Sequence, residues 1–313
     1  MASQVSPGVI IKERDLSNAV VVGTSALRGA IASTFSKGPV GSIVNIGSER
    51  ELIDTFGTPV EANAADWIVA SEFLRYGGQL AVVRATTGVE NATKSGTGVL
   101  IADEAAFDAG VTSEKFAARD AGTDGNNLRV VIVDKVADVK MTKAGIGTTA
   151  SVGDALSDGA TTDHEITVII DDNTVGVKHG ASGAVSGNGF TQAAFSNSDW
   201  NAIPIGSTGL TYKNIAPRPG TSAFASERYL SGDEVHVAVI DESTNTVVER
   251  MTYLSKLSDG KSPEGASTYW VSYVNEFSQY IYAAALGATD YTPVGEAPGG
   301  TAASYGATAA SPL

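Results

Sequence analysis

Phe73-Leu74-Arg75-Tyr76-Gly77-Gly78-Gln79-Leu80-Ala81-Val82-Val83-Arg84-Ala85 decides the reading of this chain. Its first half closes a helix. Trp67, Ala70, Phe73 and Leu74 fall on one face at the 3.6-residue period, which predicts a helix over Ala64–Tyr76. Gly77 supplies the left-handed stop that such a helix end favours. The second half, Gln79–Ala85, is a run of β-branched and small apolar residues that reads as a buried strand.

Upstream, Ser48 stands as an N-cap with Glu51 three residues on, the spacing of a capping box. Leu52, Ile53 and Phe56 share a face of that helix, and Gly57 with Pro59 ends it. Ser42–Ile46 is a short strand before it, Gly38-Pro39 is a turn, and Ala26–Phe35 alternates loosely. Strand, helix, helix, strand predicts a small α/β unit over 23–90 with a crossover onto a parallel sheet, its core built on Leu52, Phe56, Trp67, Phe73, Leu74, Val82 and Val83. Residues 1–22 read as an extended arm. Ser6-Pro7-Gly8 turns into Val9-Ile10-Ile11, which ends in Lys12-Glu13-Arg14-Asp15, and Val20-Val21-Val22 is a second apolar run. A short strand with no partner nearby is a liability unless something pairs with it.

Downstream of residue 91 the texture changes to short β-branched runs between Gly, Asn, Asp and Ser clusters. Strands are expected at Leu128–Val133 and Ile166–Ile170. Val235–Ile240 and Val247–Tyr253 form a hairpin about Asp241–Thr246. The polar stretches 141–163 and 180–199 read as surface loops. Ala266–Ala285 reads as a helical turn followed by a strand, and 287–313 as a linker or tail. The fold class is therefore α+β: arm, incomplete α/β unit (23–90), β-rich outer part (91–286) and linker (287–313).

Composition narrows function. Of 313 residues 42% are hydrophobic and 18% charged, which is globular. The net charge of −14 opposes binding to nucleic acid or an anionic membrane. With no cysteine there is no disulfide, thiolate metal site or cysteine nucleophile, a pattern that fits a reducing cytosol at synthesis. No apolar run approaches the roughly 20 residues that span a bilayer, so the reading is of a soluble chain.

The motifs yield no catalytic constellation. His164, His179 and His236 have no metal-ligand spacing, and alternation places His236 toward solvent. There is no G-x-S-x-G elbow and no Walker A loop. Gly145–Ala150 imitates a dinucleotide fingerprint but follows no good strand, so it reads as a flexible loop. Asp120, Asp124 and Asn126 suggest a calcium loop that lacks its closing Glu, and a turn is the simpler reading. Asp171-Asp172 and Asp241-Glu242 sit where turn residues belong. No cofactor and no metal site is expected.

Ser6–Glu13, Gly38-Pro39, Glu51–Pro59 and Phe73–Ala85 together resemble the contractile tail sheath proteins of T4-like bacteriophages, in order and at similar spacing over residues 5–86. Gly125–Val130 and Phe277–Ile281 are weaker echoes, and 136–215 matches nothing in that family. The resemblance implies a non-enzymatic virion protein assembled in the host cytoplasm. Its partners would be neighbouring sheath subunits in helical rings, the tail tube and the baseplate. It implies that contraction drives the tube through the host envelope. Val9, Ile10, Ile11, Lys12 and Glu13 would add a strand to a neighbour's sheet. The family carries a large carboxy-terminal half, and this chain ends at Leu313 inside what reads as a linker, so it is expected to be an amino-terminal part. The alternative is a β-rich baseplate or adhesin component binding a surface.

Overall fold

The computed structural model describes residues 27–93, 99–110, 115–135, 137–156, 164–178 and 189–284, and the backbone of 310–312. The arm, with Val9, Ile10, Ile11, Lys12 and Glu13, lies outside the described residues.

The chain opens with β1 (Arg28–Ser33), β2 (Ile43–Ile46), α1 (Glu49–Phe56), α2 (Ala64–Arg75) and β3 (Gln79–Arg84). Local chemistry sets the helix ends. Ser48 Oγ accepts from the Glu51 amide at 3.2 Å, and the Glu51 carboxylate reaches back to the Gly47 amide at 2.8 Å. Gly57, at φ 79°, closes α1 by donating to the Ile53 carbonyl. Trp67 Nε1 donates to the Gly57 carbonyl at 3.0 Å, tying α2 to the end of α1.

The three strands lie in the order β1-β3-β2. β1 runs parallel to β3, while β2 runs antiparallel to it. The crossover expected between Ser42–Ile46 and Gln79–Ala85 is thus corrected: the parallel partner of β3 is β1. One crossover helix returns a chain for a parallel neighbour, and a second consecutive helix adds one more reversal. Leu52, Phe56 and Val82 are fully buried, Trp67 and Leu74 nearly so, and Phe73 packs against them half-buried. Val83 points to the opposite face of β3 and is half-buried, outside this cluster.

The β-rich part continues with β4 (Asn91–Thr93), α3 (Glu104–Asp108), β5 (Phe116–Ala121), β6 (Leu128–Val133), β7 (Val139–Thr142), α4 (Ile146–Thr149), β8 (Ala155–Leu156), β9 (His164–Asp171), β10 (Thr174–Lys178) and β11 (Thr191–Ala194). Then come α5 (Asn197–Ala202), α6 (Ala223–Ser226), β12 (Glu234–Asp241), β13 (Thr246–Ser255), α7 (Trp270–Phe277), β14 (Ile281–Ala283) and β15 (Ala310–Pro312). They form sheets ordered β14-β5-β4, β13-β12-β6-β15 and β11-β7-β10-β9-β8.

β12 and β13 are the expected antiparallel hairpin, and its turn is held by Asp241 accepting from Ser243. Two stretches read as loops carry structure instead. Residues 141–163 hold α4 and β8, and 180–199 hold β11 and the start of α5. Trp200 of α5 is fully buried and anchors the central cluster with Tyr212, Val237 and Trp270. Within 287–313, Ala310–Pro312 pair antiparallel with β6 as an edge strand. Strands exceed helices, which suits an α+β description. Among the described residues no helix is long and apolar enough to cross a membrane.

Candidate functional site: an assembly surface

Several of the residues singled out for chemistry hold the fold together instead. His236 corrects its expected solvent-facing position. It is completely buried because β12 lies between β13 and β6 with both faces covered, so alternation has no exposed side to use. Its Nε2 lies 2.7 Å from the Pro217 carbonyl, and its Nδ1 accepts from the Tyr253 amide at 3.0 Å. Val235 faces Leu254 and Val237 faces Met251, so Thr252 and Tyr253 stand against His236 alone as a β-bulge, with Tyr253 at φ 57°. Burial pulls the His236 pKa down, against the carbonyl bond to Pro217 that raises it.

His164 is buried in β9, and His179 lies outside the described residues. Among the described residues no group of three or more His, Asp or Glu could hold a metal. Thr123–Asn127 form a 3-10 turn, and Asp120 accepts from the Gly38 amide at 3.1 Å. Gly145 caps α4 in the left-handed region, so the fingerprint-like stretch is a single helical turn. Asp171 accepts from the Asn173 amide, and Glu242 pairs with Arg129. A cleft of about 260 Å³ is lined by Lys37, Asp120, Asp124, Asp241 and Tyr280 among others. Of its carboxylates, Asp120 accepts from the Gly38 amide and pairs with Lys37, and Asp241 accepts from Ser243.

What stands out is an apolar surface on the first unit. The helices cover one face of the sheet, toward which Leu80, Val82 and Ile46 point. On the other face Ala32, Val83 and Ile43 form one cross-strand row, and Ala30, Ala81 and Asn45 the next. Ile43 is 71% exposed, and Ala30 and Ala32 are exposed as well. Among the described residues neither outer edge of this sheet carries a further strand. Across the unit, α2 presents Ile68 and Val69, 56% and 63% exposed, opposite its Trp67–Ala70–Leu74 stripe. On that side of α2 the exposed Glu72–Arg75 pair stands beside Ile68 and Val69, so the sheet face, where apolar residues adjoin across strands, is the stronger candidate for an interaction. The 3.6-residue period groups Phe73 and Leu74 with Trp67 and Ala70 and leaves Ile68 and Val69 off that stripe. Their off-stripe apolar character was the available signal.

No family model matches the chain. It is 39% identical over 92 residues to the tail sheath protein of Vibrio phage KVP40, covering 28% of this chain and 13% of that one. It is 38% identical over 81 residues to the tail sheath protein of Enterobacteria phage T4, covering 26% and 12%. A third tail sheath protein, from Salmonella phage ViI, is 24% identical over 331 aligned positions, covering 90% of this chain and 50% of that one. The chain thus spans at most half the length of these relatives. A solved sheath tail protein from Listeria innocua matches over 56% of this chain and 37% of its own, at 14% identity and a TM-score of 0.24. By sequence, this chain is similar to the tail sheath proteins of phages KVP40, T4 and ViI.

Proposed function

We propose that the chain is a structural subunit of a contractile phage tail sheath. Copies stack as helical rings around the tail tube, bind the baseplate at one end, and shorten to drive the tube through the host envelope. The carrying observation is the 24% match over 90% of this chain to one tail sheath protein, with stronger local matches to two others. The sheet face left exposed among the described residues, with Ile43 on it, and the exposed Ile68 and Val69 of α2 support it, since a subunit that works through neighbours needs surface left for them. In this reading Val9, Ile10, Ile11, Lys12 and Glu13 pair with the sheet of an adjacent subunit, and backbone ladder bonds supply the grip. The proposed domain limits are 1–22 for the arm, 23–90, 91–286 and a linker from 287, with Ala310–Pro312 returning to pair with β6.

Immunogold electron microscopy tests this. Antibody raised against the chain is expected to decorate the tail along its whole shaft in intact virions. Label confined to the baseplate or to fibres refutes the proposal and favours the surface-binding alternative.

A further inference from the structure

The α/β unit and the β-rich part have separate apolar cores. The first cluster draws only on residues between Ile31 and Val82, and the other clusters begin at Ala92. Two bodies joined without a shared hydrophobic interface are expected to move relative to each other. Among the described residues the contacts at the joint are polar, and they centre on Arg84.

Arg84 ends β3 and is 2% exposed. Its Nε donates to the Phe35 carbonyl at 2.7 Å, and one Nη donates to the carbonyls of Gly38 at 2.8 Å and Ala121 at 2.7 Å. The other Nη donates to the Ser36 carbonyl at 3.0 Å. Three of these acceptors belong to the loop after β1; the fourth ends β5 in the β-rich part. The planar guanidinium holds both at fixed angles, which a lysine ammonium on a flexible stem does not. Asp120 adds the bond from the Gly38 amide and an ion pair with Lys37 at 3.9 Å. Gly122 passes so close that a Cβ there would sit 3.2 Å from the guanidinium.

We infer that Arg84 is an orientation clip that locks the α/β unit to the β-rich part, so that they behave as one rigid body. Arg218 provides an internal comparison. It too is held by carbonyls, those of Lys135, Ala137 and Phe195, and it stacks on the Phe195 ring. It lies where two sheets already share one apolar cluster, because Val168 and Phe195 pack with Val130 and Val237. Hydrophobic contact fixes that joint with or without the arginine.

The inference concerns the single chain and does not depend on the sheath reading. The absence of cysteine makes site-directed spin labelling clean. Nitroxides at Glu61→Cys and Glu264→Cys, both exposed and one on each side of the joint, report the inter-unit distance by pulsed electron resonance. The parent chain is expected to give one narrow distance. Arg84→Met and Arg84→Lys are expected to lose that peak while circular dichroism stays native. Arg218→Met is expected to melt earlier and keep it. An unchanged narrow peak in folded Arg84→Met overturns the inference. Loss of the entire fold in Arg84→Lys also overturns it, since Arg84 would then support a unit and not the joint.

Discussion

Lys256 and Asp134 make the sharpest energetic test. Asp134 follows β6 and Lys256 follows β13, strands separated by β12, and the two side chains meet at 2.9 Å with 1% exposure each. Taking both charges out of water is costly, and their mutual attraction repays it only while both are present. Lys256→Met leaves the Asp134 carboxylate without its ammonium in a site closed to solvent. The expected loss is about 3–5 kcal/mol, a large share of the roughly 5–15 kcal/mol that holds a typical domain together. Asp134→Leu alone should cost a similar amount by stranding the ammonium. The double variant should recover most of the loss, because a volume-matched apolar pair is commonly neutral or better than a buried ion pair. Urea unfolding followed by tryptophan fluorescence reads this directly, since Trp200 and Trp270 sit fully buried in the adjoining core. With a slope of about 2 kcal/mol per molar, each single variant should lower the midpoint by roughly 2 M. The reasoning fails if Lys256→Met costs less than about 1 kcal/mol, or if the double variant loses the sum of the singles.

Four further outcomes are expected. His236 has its pKa lowered by burial, so below its unfolded value of 6.5 the unfolded chain binds a proton that the folded chain refuses. The stability from neutral burial is complete above that pH and falls as pH drops below it, by up to about 1.4 kcal/mol per unit. Melting from pH 7.5 to 5 should show the slope, and His236→Gln should flatten it. Gly78→Ala would place a Cβ 2.5 Å from the Phe73 ring, costing about 1–3 kcal/mol in chemical denaturation, with Phe73→Leu restoring part of it. Ile43→Asp should leave monomer stability within about 0.5 kcal/mol and abolish tube formation seen by negative stain. Deleting residues 1–16 should leave a folded subunit that forms no polymer, and sheaths of normal length from that deletion would defeat the strand-addition proposal.

The elements legible in the sequence are those whose causes are local. Ser48, Glu51 and Gly57 bracket α1 through bonds within a few residues, and Gly77 ends α2 in the same way. The Asp241–Thr246 turn is closed by Asp241 itself. Elements misread or missed depend on what lies across the fold. β5, Phe-Ala-Ala-Arg-Asp-Ala, is poor in β-branched residues and is a strand because β4 and β14 flank it. α5 starts with a capping box of Ser196 and Asp199, yet its polar neighbourhood hid it, and burial of Trp200 makes it stable. His236 was misplaced because alternation presumes one wet face, and a central strand covered on both sides has none.

The same distinction bears on function. Arg84 was in plain view at the end of an apolar strand, but a single sequence does not reveal that its acceptors lie as far off as Ala121. A charge closing a buried run has to be matched by something, and here backbone carbonyls match it, which turns a solvation problem into a geometric constraint. The apolar residues left outside, Ile43, Ile68 and Val69, pose the converse problem. Nothing among the described residues covers them, and in the proposed role neighbouring subunits do. A subunit whose joint is locked as inferred for Arg84 would pass a push from a neighbour through the whole body instead of absorbing it at the joint. That property suits the proposed sheath role better than a module that only has to hold a ligand.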